Sequence, residues 1–196
     1  MWRLTSICAV LLVVSGCDVF SPRDPDPPID TGDPYAWKPP TTPELVLENL
    51  SNAFPAGKRN YYLDVLGQGM NSNQGFMFYP DPAIASAQPG IFDAWGYTEE
   101  DGFLTKLFDG LNKEGLQRFV WVSPQVSPVG DSYEIVAGYQ ITLTYLDNAA
   151  SLPTQLAGQA TLTLEQNAEL LYEVTSWSDL NSDSLSCWTE LKALVQ

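Results

Sequence analysis

The chain has 196 residues, 44% of them hydrophobic, with 24 acidic side chains against nine basic ones, a net charge of −15 and no histidine. So acidic a chain argues against nucleic acid and against docking on anionic lipid, because both are recognised through Lys/Arg clusters. It is compatible with cationic partners, but its simplest consequence is solubility at high local density. The length suits one domain with a sizeable core.

At the amino end, Arg3 is the only charge in the first sixteen residues. The apolar run Ile7-Cys8-Ala9-Val10-Leu11-Leu12-Val13-Val14 follows, closed by Ser15-Gly16. A charged start, a short apolar stretch and small residues have the form of a secretory signal. The run falls well short of the ~20 residues a spanning helix needs. Val14-Ser15-Gly16-Cys17 resembles the bacterial lipobox. That resemblance implies cleavage after Gly16, thioether attachment of diacylglycerol to Cys17, and a mature chain held by membrane lipid in the bacterial cell envelope. Asp18 bears on sorting in some bacteria, but the rules differ between lineages, so inner and outer membrane stay open. The mature part would keep all 24 acids and eight bases, for a charge of −16. Cys8 leaves with the signal and Cys17 carries lipid, so Cys187 has no partner for an internal disulfide. With no histidine and no nearby lysine to lower its pKa, Cys187 reads as a small buried apolar residue.

Residues 17–41 form a tether. From Asp18 to Thr41 there are seven prolines and five aspartates, a composition that gives a semi-rigid spacer of ~3 Å per residue. Tyr35 and Trp37 are unusual there and can pack back onto the domain, which is expected over residues 42–196.

Thr42 suits an N-cap, Pro43 a first helical position and Glu44 the positive end of the dipole. Val46, Leu50, Ala53 and Phe54 then recur at helical spacing until Pro55-Ala-Gly57. Lys58 to Leu66 reads as a second helix. Phe76 to Tyr79 reads as a short strand stopped by Pro80-Asp81-Pro82. Thr98 caps a third helix with Phe103, Leu104, Leu107, Phe108 and Leu111 on its apolar face. From Leu116 the period changes to two: Phe119 and Trp121; then Tyr133 to Tyr145; then Leu156 to Leu164; then Tyr172, Val174 and Trp177. The slip by one in the last run predicts a bulge. Trp188 to Val195 is a short C-terminal helix. The result is an α+β class, a curved antiparallel sheet covered on one face by three N-terminal helices.

This order resembles the nuclear transport factor 2-like fold, which includes SnoaL-type cyclases and ketosteroid isomerases. It resembles more closely a group of uncharacterised bacterial lipoproteins. The shared features stand here as Cys17-Asp-Val-Phe20, Arg23-Asp24-Pro25, Pro40-Thr-Thr-Pro-Glu44, Asn49-Leu50 and Tyr62-Leu63. Further along they continue as Phe76-Met-Phe78, Pro80-Asp81, Trp177-Ser-Asp179, Trp188 and Glu190-Leu-Lys-Ala193. The resemblance implies a cone-shaped domain whose wide end can hold a cavity. It implies no activity, since the fold hosts many functions.

Enzymes of this fold commonly use a His with an acid, or a Tyr with carboxylates. Without histidine only the second has material here: Tyr61 or Tyr62, with Asp64 or Asp81. Against it, the tyrosines suit core packing and Asp81, between prolines, suits a turn. Tyr133, Tyr139 and Tyr145 share a strand face and either line a pocket or build core. Asp179, Asn181, Asp183 and Glu190 occupy positions one, three, five and twelve of a calcium loop, yet Ser184 stands where glycine is expected. Turn-forming roles are the simpler account. The sequence calls for no cofactor. The functional expectation is a lipid-anchored, non-catalytic domain that binds a small apolar ligand or an envelope protein. The alternatives are an isomerase, dehydratase or cyclase using Tyr and carboxylate, or a structural domain, dimeric through an exposed sheet face.

Overall fold

The structure, a computed structural model, describes residues 32–69, 75–147, 151–182 and 185–196. Gly16, Cys17, Asp183 and most of the expected tether lie outside them. A compact unit runs from Asp33 to Gln196, so residues 33–41, read from the sequence as tether, belong to the folded body.

Helix α1 (Pro43–Ala56) starts as the sequence predicts, with Thr42 extended at the N-cap and Pro43 in the first turn. Pro55 falls inside its last turn rather than ending it, and the stop is Gly57, whose φ of 63° closes the helix. There Gly57 N–H donates to Phe54 O and Lys58 N–H to Ala53 O. Val46, Leu50, Ala53 and Phe54 are all fully buried, the stripe predicted from their spacing.

Helix α2 (Arg59–Leu63) is shorter than expected. Its last residues are diverted to the sheet edge, where Val174 N–H donates to Val65 O and Gly67 N–H to Val174 O. Strand β1 (Met77–Tyr79) is followed by helix α3 (Pro82–Ala87), which the sequence reading did not separate from the turn. Helix α4 (Tyr97–Gly110) begins two residues earlier than a Thr98 cap implies, because Gly96 N–H is taken by Glu99 Oε2 at 3.0 Å. Among the described residues, four helices, not three, therefore precede the long strands.

Strands β2 (Arg118–Val129), β3 (Ser132–Thr142), β4 (Gln155–Gln166) and β5 (Tyr172–Leu180) form an antiparallel run, and helix α5 (Trp188–Val195) closes the chain. The sheet order is β1-β5-β4-β3-β2, with β1 added parallel to β5, so the sheet is mixed and not purely antiparallel. The slip predicted in the last run is there: Thr163 pairs with Ser176 but Leu164 with Val174, leaving Thr175 over. A second bulge lies between Val122 and Gln125, where Ser123 has a φ of 49°. Pro124 and Pro128 are tolerated because β2 is an edge strand.

Asn49, fully buried on α1, takes hold of the incoming chain. Its Oδ1 accepts from Lys38 N–H at 3.0 Å and its Nδ2 donates to Lys38 O at 2.6 Å. Pro40 O accepts from Tyr172 N–H, so the segment is stitched to both α1 and the sheet.

Candidate functional site

The buried face of the sheet and the helices over it enclose a polar network inside a shell of rings. Glu100, on the apolar face of α4, accepts at Oε1 from Tyr62 hydroxyl (2.9 Å) and at Oε2 from Trp95 indole N–H (2.7 Å). Its Oε2 also pairs with the ammonium of Lys192 from α5; both side chains are wholly buried. That ammonium lies 4.4 Å from the ring centres of Phe78 and Phe103, 4.8 Å from Trp95 and 5.5 Å from Trp188, a cage that offsets part of its desolvation. Burial draws the Lys192 pKa down to about 8, with Glu100 pulling the other way. Burial, then Glu100, pushes the Tyr62 phenol well up.

Asp179 on β5 centres a second set. Its Oδ1 accepts from Tyr139 hydroxyl at 2.7 Å; its Oδ2 accepts from Thr189 N–H at 2.8 Å and from Thr189 hydroxyl at 2.7 Å. Tyr139 oxygen in turn accepts from Trp188 N–H. Burial raises both the Asp179 and the Tyr139 pKa. Gly158, opposite Tyr139, makes room for this ring, since a Cβ there would lie 2.7 Å from Tyr139 Cζ. Cys187, at the N-cap of α5, is buried, and its thiol is pushed up to about 12 by burial and then by Asp179. It is an inert thiol.

Aromatic rings pack between these sets. Trp177 stacks on Tyr62 (6.1 Å, 20°) and on Trp188 (6.4 Å, 17°), and Trp121 meets Trp177 at 5.7 Å. The carboxylate oxygens of Glu100 and Asp179 are all engaged by neighbours, and both phenols donate to those carboxylates. The arrangement is chemically a lock: it fixes α5 and α4 on the sheet.

Of the residues singled out in the sequence, only Tyr62, Tyr139 and Asp179 enter this interior. Tyr61 faces outward, its oxygen 3.0 Å from Lys58 Nζ. Asp64 is exposed, its pKa raised by partial burial. Asp81 caps α3, its Oδ1 accepting from Ala83 and Ile84 N–H, while its Oδ2 accepts from Asn181 N–H. Tyr133 packs edge-on against Tyr172, and Tyr145 donates to Pro153 O, so the three strand tyrosines do not converge. Asp179 lies in a strand with its oxygens occupied, while Glu190 sits in the first turn of α5. Among the described residues no group of three or more acids or cysteines is arranged to hold a metal. Glu100 and Lys192 escaped the sequence reading. The signal was present: Glu100 shares its helical face with Phe103, Leu104 and Leu107, and Lys192 shares one with Trp188, Leu191 and Val195.

An open cleft of about 550 Å³ lies outside this interior, where α1 ends, α2 begins and α4 runs into β2. Phe54, Phe108 and Leu111 are among its apolar lining, and Tyr35 and Leu116 stand exposed beside them. Arg59 and Lys113 also line it.

Neither a family model nor a curated protein matches the sequence. Solved structures do. One from Novosphingobium aromaticivorans, titled as a candidate aromatic ring hydroxylase, matches with a TM-score of 0.54 and 12% identity over 76% of this chain and 92% of its own. Another, from Streptomyces avermitilis and titled as a candidate dehydratase of the NTF2-like family, gives 0.52 and 9% over 72% and 94%. A candidate scytalone dehydratase from N. aromaticivorans gives 0.52 and 9% over 74% and 89%. The fold is nuclear transport factor 2-like. At these identities the likeness shows the fold alone.

Proposed function

We propose that this chain is a lipid-tethered, non-catalytic NTF2-like domain of the bacterial cell envelope that binds a small apolar ligand at its surface cleft. What carries the reading is an interior occupied by rings: Tyr62, Tyr139, Trp177 and Trp188 are buried there, with the Tyr62 and Tyr139 hydroxyls donating to Glu100 and Asp179. Binding is thereby left to the outside, where the cleft falls in the size range of ligand pockets. Cys17 would carry the acyl anchor, and the Pro/Asp-rich segment would hold the body off the membrane.

Two other readings have specific support. An isomerase or dehydratase is favoured by the names of the structural neighbours and by the Tyr62–Glu100 and Tyr139–Asp179 pairs, but it requires the interior to open. A protein partner or second copy is favoured by the outer sheet face. There Met77, Tyr79, Val122 and Leu180 are exposed and the neighbouring Thr161 and Ser178 add no charge.

Weighing the chain purified from the bacterium that makes it tests both halves of the proposal. The expected species starts at an acylated Cys17 and, under native conditions, carries a co-purifying apolar ligand. A precursor retaining Met1 would contradict the tether. A ligand-free chain that also ignores added apolar probes would contradict the binding role.

A further inference from the structure

The cleft over Phe54 differs in charge from the rest of the molecule. Its lining holds two cations, Arg59, which is ion-paired with Asp101, and Lys113, unpaired among the described residues, against one acid, Asp109, on a chain whose net charge is −15. Four other hollows among the described residues hold no more cations than acids. The one beside Trp37 has Asp64, Glu169 and Glu173 and no cation; that at the β2–β3 turn has Asp131 and Glu165. The hollow at Thr154 has only Asp147, and the one at Val195 sets Lys106 against Asp109. Those four are also smaller, at 310 to 450 Å³.

The two cations keep donors to spare. Arg59 meets Asp101 through Nη1, at both the carboxylate and the backbone oxygen. Lys113 is exposed and makes no hydrogen bond or ion pair among the described residues. The turn that carries Lys113 and Leu116 is held rigidly. Asn112 N–H and Gln117 Nε2 donate to Thr144 O, Thr144 N–H donates to Gln117 Oε1, and Thr144 hydroxyl donates to Leu116 O. Gly115 permits this approach, since a Cβ there would lie 2.5 Å from Thr144 Cβ. A rim fixed before binding loses little ordering entropy on binding.

We infer that the cleft takes an amphiphilic anion, an apolar chain or ring laid on Phe108 and Leu116 with a carboxylate against Lys113 and Arg59. This deepens the ligand-binding reading and rests on it. The global charge repels such an anion at long range, and that repulsion is screened over about 8 Å at physiological salt; the contact pair acts inside that distance.

Titration of the unacylated chain carrying Cys17→Ser with decanoate, decanol and decyltrimethylammonium at neutral pH tests the inference. Decanoate is expected to bind tightest, and Lys113→Glu to weaken it about fivefold, the worth of one exposed ion pair, while decanol is unaffected. Raised salt should narrow the gap between decanoate and decanol. Leu116→Asp, at a side chain 63% exposed and so safe for folding, should weaken decanol as well. Equal binding of all three probes with no effect of Lys113→Glu would overturn the anion preference and leave the apolar cleft standing. Binding of none of them, or decanol binding indifferent to Leu116→Asp, would remove the cleft as a ligand site altogether.

Discussion

Lys192 and Glu100 show what a buried charge does in this molecule. Two ions taken out of water cost several kcal/mol each, and their attraction repays this only where every remaining donor and acceptor is satisfied. Here Tyr62, Trp95 and four rings supply that satisfaction. Lys192→Met leaves the Glu100 carboxylate buried beside it without a counter-charge, and should cost about 3–5 kcal/mol by denaturant unfolding. Adding Glu100→Gln should cost less than the sum of the two single changes, the mark of a coupled pair. The pH dependence has a defined sign. Lys192 titrates at about 8 in the folded chain against an ordinary 10.5, so between those values the unfolded chain holds a proton that the folded one has released. Its contribution to stability therefore rises as pH climbs through that window, and the full desolvation cost of the ammonium applies below it. The stability advantage of wild type over Lys192→Met should widen from pH 8 to 10.5. A gap that narrows would show that the ammonium is not desolvated.

At the scale of elements, Asn49 joins residues 33–41 to the rest of the fold. Loss of both its hydrogen bonds to Lys38 in Asn49→Ala should destabilise the domain by about 2 kcal/mol and expose residues 33–41 to protease. Unchanged cleavage there would mean that Pro40 and Trp37 alone secure the segment. Elements that obey local rules were legible in the sequence. Thr42-Pro43-Glu44 starts α1, alternation marks β3 and β4, and the one-residue slip between Val174 and Trp177 is a real bulge. Elements decided by tertiary pairing were not. Lys58 to Leu66 reads as one helix because its apolar spacing is helical; the sheet edge recruits Val65 to Gly67 and cuts it short. Asp81 was legible as a turn former; its capping of α3 uses the N–H groups two and three residues on, with Pro82 at the first helical position, a local signature read there only as a turn. In the interior, Tyr62 and Tyr139 could be named but not paired. Their acids lie 38 and 40 residues away, and no local pattern links them.

For the molecule as a whole, the cone shape and its content separate. This chain packs Tyr62, Trp121, Trp177 and Trp188 between the sheet and its helices and locks α4 and α5 there through Glu100 and Asp179. Nothing in alternation or composition distinguishes rings that line a chamber from rings that fill one; only the packing of α5 decides it. The proposed function then divides the labour, with stability inside and recognition outside, on a body whose acidity keeps it dispersed. Hydrogen exchange of the tryptophan indoles by NMR, with and without decanoate, tests this most directly. The account predicts that Trp95, Trp177 and Trp188 exchange only through global unfolding and keep their shifts on binding, while the methyl signals of Leu116 move. Fast exchange of Trp177 and Trp188, or shifts there on binding while Leu116 stays still, would contradict it.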